Sequence, residues 1–286
     1  MASLRQIRQR MKAIHNIHGI TKAMGMIATF RFKRSENRFS RSRNYFLEME
    51  KMVGNLSGAA QDLEDPLFED RKVKKKALLV MTGDKGLCGA YNSNLIKAMT
   101  LWLQENQAFS PVIIPVAKVC FEFCRKKHVP TLLGYPEKAL ADLSLAKKMT
   151  EDIKQAYLKG KVDSVDILYS AYKAGTPGRN RQMPFLSLRY LMKQGADSKN
   201  AVDYIHEPDF DTVFLSLLSR YLEGKIYMTL LESLTSESSA RMLAMKQATD
   251  NAEDVLDHLR LQRNKTRQAT ITRELSEIVG GASVLV

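Results

Sequence analysis

No stretch of about eighteen consecutive apolar residues occurs in the 286-residue chain, so no membrane-spanning helix is expected. Its first ten residues, MASLRQIRQR, lack an apolar h-region and do not read as a secretory signal. They are basic and amphipathic, as in a transit peptide, but the same helical pattern continues far beyond any presequence. Cysteine is sparse: Cys88, Cys120 and Cys124 are an odd number without scaffold spacing, which suits thiols of a reducing cytosol. Acidic residues are outnumbered, 31 Asp and Glu against 44 Lys and Arg, for a formal charge of +13. That excess suits an acidic partner, whether nucleic acid, an anionic membrane face or a protein surface. Catalytic signatures are missing as well. There is no HExxH, no Ser-His-Asp arrangement and no paired-carboxylate spacing, so no catalytic, cofactor-binding or metal-ligating residues are assigned.

Helix breakers are almost missing from Leu4 to about Leu56, where apolar residues step by threes and fours. The stripe reads Leu4, Ile7, Met11, Ile14, then Ile17, Ile20, Met24 and Ile27. Ser3 and Gln6 have capping-box spacing. The step from Ile14 to Ile17 leaves heptad phase and predicts a local change of winding in a coiled coil. From Asp209 to Val279 the rhythm returns through Phe214, Leu217, Tyr221, Met228, Leu231, Met242, Met245, Leu256 and Leu259. Pro208 suits the start of this helix, Asp209 and Asp211 its positive dipole end, and Gly280-Gly281 its stop. By length these helices would reach roughly 80 Å and 105 Å. One apolar stripe does not stabilise a lone helix, so the two are expected to pair.

Between them the pattern alternates. Strands are predicted at 77–81, 112–116 and 165–169, with a further one at 185–191; helices are predicted at 92–105, 119–127 and 137–159. The predicted fold class is α/β: a long antiparallel coiled coil formed by 1–58 and 208–286, with a small Rossmann-like domain of largely parallel sheet inserted at 74–195.

Four features of the sequence are candidate sites. Gly83 to Asn92 lies between a strand and a helix, where phosphate loops often sit. It matches neither GxGxxG nor GxxxxGK[ST], so a tight structural turn that also docks a partner is the better reading. Cys120 and Cys124 share a helix face but lack a second ligand pair, so buried thiols are expected. His15 and His18 are also neighbours, without a carboxylate or cysteine beside them. The last feature is charge. Up to residue 46, Arg5, Arg8, Arg10, Lys12, Lys22, Arg31, Lys33, Arg34, Arg38, Arg41 and Arg43 face only Glu36, and the excess begins in the first turn, against the helix dipole. It points to an acidic partner. A nucleic-acid-binding coiled coil is the alternative, but no DNA-binding motif is present and the basic residues surround the helix.

Several motifs decide the matter by resemblance. Residues 20–24 (ITKAM), 83–96 (GDKGLCGAYNSNLI) and the run from 231 to 281, with LESLTSE, ARMLAMK, ATDN, NKTRQ and EIVG, resemble the gamma subunit of the F-type ATP synthase. They fall in all three segments, in that family's order, and cover effectively the whole chain. The resemblance implies a non-catalytic rotor subunit, one copy per complex, whose coiled coil turns inside a ring of alpha and beta subunits. Its α/β domain would sit by the epsilon subunit and the c-ring. The complex is an ion-translocating ATP synthase, and a peripheral place on the cytoplasmic face of a bacterial inner membrane is implied.

By motif position, Lys22, Met24, Arg241, Arg267, Gln268, Thr272 and Glu274 would contact beta, whose acidic lever loop would account for the basic helix. Asp84, Lys85, Leu87, Cys88 and Tyr91 would form the foot on the epsilon and c-ring side. No cofactor and no nucleic acid are implied. The chain departs from the family pattern at Gly25, usually Glu, at Phe30 and Phe32, usually smaller or basic, and at Gln262 and Arg263, usually apolar and aromatic. The cysteine-bearing regulatory insert of chloroplast relatives is missing.

Overall fold

The computed structural model describes residues 3–57, 65–69, 71–138, 142–173, 178–188, 191 and 207–284. The chain divides into two compact units, one of Met1–Thr29 with Arg241–Val286 and the other of Phe30–Ala240. Two long helices pass through both: α1, Leu4–Ser57, and α5, Phe210–Val284. The start of α1 is the expected capping box, with Ser3 N donating to Gln6 Oε1 at 3.0 Å and Gln6 N to Ser3 Oγ at 3.3 Å. At the start of α5 the Asp209 carboxylate accepts from Thr212 N and Thr212 Oγ1, both at 2.9 Å. These bonds to the charged form hold the Asp209 carboxyl below its usual range. Gly280-Gly281 do not stop α5, which continues to Val284; two glycines lower helix propensity without removing a hydrogen bond.

The expected stripe of α1 changes beyond Ile14. Its inward positions continue through His18, Thr21, Gly25 and Ala28 to Phe32, Ser35, Phe39, Ser42, Phe46, Met49, Val53 and Leu56. That is an unbroken three-four alternation, and no change of winding is needed. Ile17, Ile20 and Ile27, read as core, are 48%, 60% and 56% exposed. Hydrophobicity selected the wrong face because the inward positions there are polar or small. The α5 stripe is as expected: Phe214, Tyr221, Met228, Leu231, Met245, Leu256 and Leu259 are buried.

In the first unit the Thr21 and Thr249 hydroxyls are 2.9 Å apart, and Gly25 faces Met245. The two helical segments therefore run in opposite directions at this point. A Cβ on Gly25 would meet the Met245 Cβ at 3.5 Å, an ordinary contact, so nothing in the packing requires glycine there. Gly25→Ala should stabilise the chain by about 0.5–1 kcal/mol through helix propensity. Thermal unfolding checks it; a lower Tm would refute the register.

The second unit contains a four-stranded sheet of order β2-β1-β3-β4. Strands β1, Lys76–Met81, β2, Val112–Val116, and β3, Ser164–Ala171, are parallel, while β4, Arg179–Leu186, is antiparallel to β3. Alternating residues separate two cores. Leu78, Val80, Ile113 and Leu168 pack with α2, Tyr91–Glu105, and α3, Lys118–Lys127. Ala77, Leu79, Met81, Ile114, Val165 and Ile167 pack with α4, Leu143–Leu158, and with Met49, Val53, Phe214, Tyr221 and Leu230 of the long helices. This is the helix-covered parallel sheet that the alternation implied.

Two boundaries differ from expectation. The last strand is displaced from 185–191 to Arg179–Leu186, because β4 is an edge strand whose first half is polar and exposed. Its Pro184 is tolerated at that edge. Helix α4 begins at Leu143, not near 137, with Asp142 as its cap accepting from Leu143 N at 2.7 Å.

Candidate functional site

The Gly83 to Asn92 turn closes on itself. Gly83 N donates to Asn92 Oδ1 at 2.9 Å, and Asn92 Nδ2 reaches Cys88 Sγ at 3.2 Å. Asp84 Oδ1 accepts from Lys118 N at 3.4 Å and Lys138 N at 3.3 Å, tying the turn to the starts of α3 and of the segment before α4. The Gly83 amide is thus engaged internally, unlike that of a phosphate cradle. Of the predicted foot residues, Cys88 and Tyr91 are buried and Asp84 is half-buried. Lys85 and Leu87 are exposed at the tip, Leu87 with a left-handed φ of 60°. A bulky side chain held in that region is strained, a frequent mark of a contact site.

Beneath the turn lies a polar cluster that sequence reasoning missed. Lys138, 1% exposed, donates from Nζ to Thr82 O and Ser233 Oγ at 2.9 Å, and lies 3.4 Å from Glu237 Oε2. Tyr91 OH is 2.8 Å from Ser233 Oγ. A Cβ on Gly83 would come within 2.8 Å of Glu237 Cδ, so any larger residue there would have to displace the carboxylate that faces Lys138. The one available signal was Ser233 and Glu237 spaced by four, which places them on one face of the helix.

The second set of predicted residues belongs to the unit of Met1–Thr29 and Arg241–Val286. Lys22 is exposed and Met24 half-buried on α1, while Arg241 is half-buried on α5. Arg267, Gln268, Thr272 and Glu274 are all exposed near the end of α5. From the Thr21–Thr249 and Gly25–Met245 register, Thr266 falls opposite Leu4, so α5 outruns α1 from Arg267 onward. By helical rise, Arg267 to Glu274 lie roughly 30–40 Å along the axis from Lys22 and Met24. The seven residues form two stations, not one site. Exposed Ile271, Leu275 and Ile278 continue three-four spacing among the polar residues of the far station; this apolar stripe was not singled out from sequence.

The departures find places. Phe32 packs edge-on against Tyr172 with ring centroids 5.7 Å apart. Phe30 is exposed, Gln262 is exposed, and Arg263 occupies an inward position beside Asn264. Glu36, the lone acid among the basic residues, accepts from Tyr172 OH at 2.7 Å.

The fold is an α/β unit inserted in the sequence between two long helices, with exposed residues at its turn and near the helical end. A family model described as ATP synthase matches residues 3–285. ATP synthase gamma chains of Chlorobium phaeobacteroides and Psychrobacter arcticus are 34% and 36% identical, covering all of this chain and 99% and 100% of theirs. The Euglena gracilis mitochondrial ATP synthase rotor has a similar fold, with a TM-score of 0.65 at 17% identity over 94% of this chain and 98% of that one. For the Tetrahymena thermophila central stalk/c-ring structure the TM-score is 0.60 at 21% identity, covering 80% and 99%. The chain belongs to the family of ATP synthase gamma chains. The nucleic-acid alternative finds no support among these relatives. Among the described residues no helix is long and apolar enough to cross a membrane.

Proposed function

We propose that the chain is the central-stalk rotor of an F-type ATP synthase, coupling ion-driven rotation of a c-ring to ATP synthesis or hydrolysis on alpha and beta subunits. The observation that carries this reading is full-length identity of 34–36% with ATP synthase gamma chains. In it, the paired helices are an antiparallel coiled coil. The unbroken three-four stripe of α1 and the matching stripe of α5 support that pairing. One copy turns inside the alpha and beta ring, non-catalytic itself, and the assembly is peripheral on the cytoplasmic face of a bacterial inner membrane.

A rotor acts by touching different conformations of its surroundings unequally, so its contacts must form and release. The far station suits this. Arg267 and Gln268 offer a guanidinium fork and an amide to carboxylates or hydroxyls, and both are exposed. Lys22 and Met24 form the nearer contact, and the basic surface of α1 faces the acidic loops of beta. Lys85 and Leu87 are the foot residues open to epsilon and the c-ring.

Reconstitution with alpha and beta subunits of a bacterial relative tests the reading. A probe on the α/β unit should rotate during ATP hydrolysis, and truncation after residue 260, which removes the far station, should lower the torque. An assembled complex that hydrolyses ATP without turning the probe, or folded partners that exclude the chain, would overturn it.

A further inference from the structure

The sequence pairs Cys120 with Cys124 on one face of α3 and supplies no third ligand nearby. The fold brings one. Met99 of α2 places its Sδ 3.8 Å from Cys120 Sγ, which is 4.0 Å from Cys124 Sγ. All three residues are essentially buried, at 0%, 0% and 1% exposure. We propose that Met99, Cys120 and Cys124 form a binding site for a thiophilic monovalent d10 ion of the Cu(I) or Ag(I) class.

The spacing carries the argument. Three sulfurs bound in a plane at metal–sulfur distances of about 2.3 Å stand about 4.0 Å apart, and the separations of Cys120 Sγ from Met99 Sδ and from Cys124 Sγ, 3.8 and 4.0 Å, match two of the three edges. Two thiols and a thioether are the soft donors that select Cu(I) over harder ions. Zinc would require a fourth ligand, which this apolar surround of Leu78, Val80, Leu95 and Trp102 does not offer. Among the described residues no group of three His, Cys, Asp or Glu side chains competes for a metal. Charge also fits. When the ion binds, one thiol proton passes to solvent, and the resulting thiolate, the remaining thiol sulfur and the Met99 thioether each donate a lone pair to the ion. The site then stays neutral, as burial demands.

The test does not depend on the rotor reading. Trp102, the chain's one tryptophan, is buried in the same cluster and reports a heavy ion through quenching. The full chain, reduced and anaerobic, is titrated with Ag(I), and with Cu(I) against bicinchoninate. One ion per chain is expected, with X-ray absorption giving three sulfur neighbours. Met99→Leu, which conserves volume and leaves the fold intact, should weaken binding at least tenfold and leave two sulfurs. Cys88→Ser, outside the triad, should change nothing. The proposal fails if the folded chain takes up no ion, if Met99→Leu binds as tightly, if Cys88→Ser abolishes binding, or if uptake requires loss of helical circular dichroism.

Discussion

Lys138→Met should destabilise the chain by about 3–5 kcal/mol, the cost of removing one member of a buried ion pair. Lys138 Nζ meets Thr82 O, Ser233 Oγ and Glu237 Oε2, and Glu237 is itself only 8% exposed. Removing the ammonium leaves a carboxylate near the bottom of a packed turn, beside Gly83. Urea unfolding of the full chain measures the loss. A double variant, Lys138→Met with Glu237→Leu, should recover much of it, because both charges then leave together. Equal losses in the single and double variants would show that packing of the long side chains, not charge pairing, holds the turn.

The same variant tests how the exposed tip is positioned. Lys85 and Leu87 are held out by the bonds of Gly83, Asp84 and Asn92, and those bonds rest on Lys138 and Tyr91 below. Loosening the base should raise amide exchange in the turn before it affects the sheet, as expected of a locally opening segment.

The origin of the misreadings in sequence is physical. Strands β1, β2 and β3 were legible because buried parallel strands are continuous apolar runs. β4 was not, since Arg179, Asn180, Arg181 and Gln182 occupy a solvent-facing edge where hydrophobicity carries no signal. In α1 the most apolar face is not the inward one. Ile17, Ile20 and Ile27 are the more hydrophobic residues, but His18, Thr21, Gly25 and Ala28 point inward, where small or polar groups let two helices approach. An apolar face left exposed on a long helix is itself informative, because isolated soluble chains seldom keep one. The separation of Arg267 to Glu274 from Lys22 and Met24 depends on register, which a single sequence does not disclose. The Met99 sulfur was equally hidden: it lies 21 residues before Cys120, and only packing of α2 against α3 joins them.

Lys225 gives a second large effect, with pH as the variable. Its Nζ donates to Pro184 O at 2.9 Å and stands 5.5 Å from the Tyr221 ring centroid. Burial pulls its pKa down to about 8; Glu50 opposes the shift and Arg181 adds to it. In the unfolded chain the same lysine titrates near its ordinary value of about 10.4. Between these values the unfolded state holds a proton that the folded state has released, so stability rises with pH through that window. Below about pH 8 both states are protonated and the full penalty, about 3 kcal/mol, is in place. Lys225→Met removes this penalty and also the bond to Pro184 O, worth about 1 kcal/mol. At pH 7 the variant should therefore be more stable by roughly 1–2 kcal/mol, and by pH 10 the advantage should be gone. Urea unfolding at pH 7, 8.5 and 10 decides it: an advantage that stays constant or grows with pH would mean that Lys225 titrates normally. A lysine kept at such a cost joins α5 to the carbonyl of Pro184 on the edge strand, where proline cannot donate to the ladder. The charge thus fixes β4 against α5 at a point where strand pairing alone is weak.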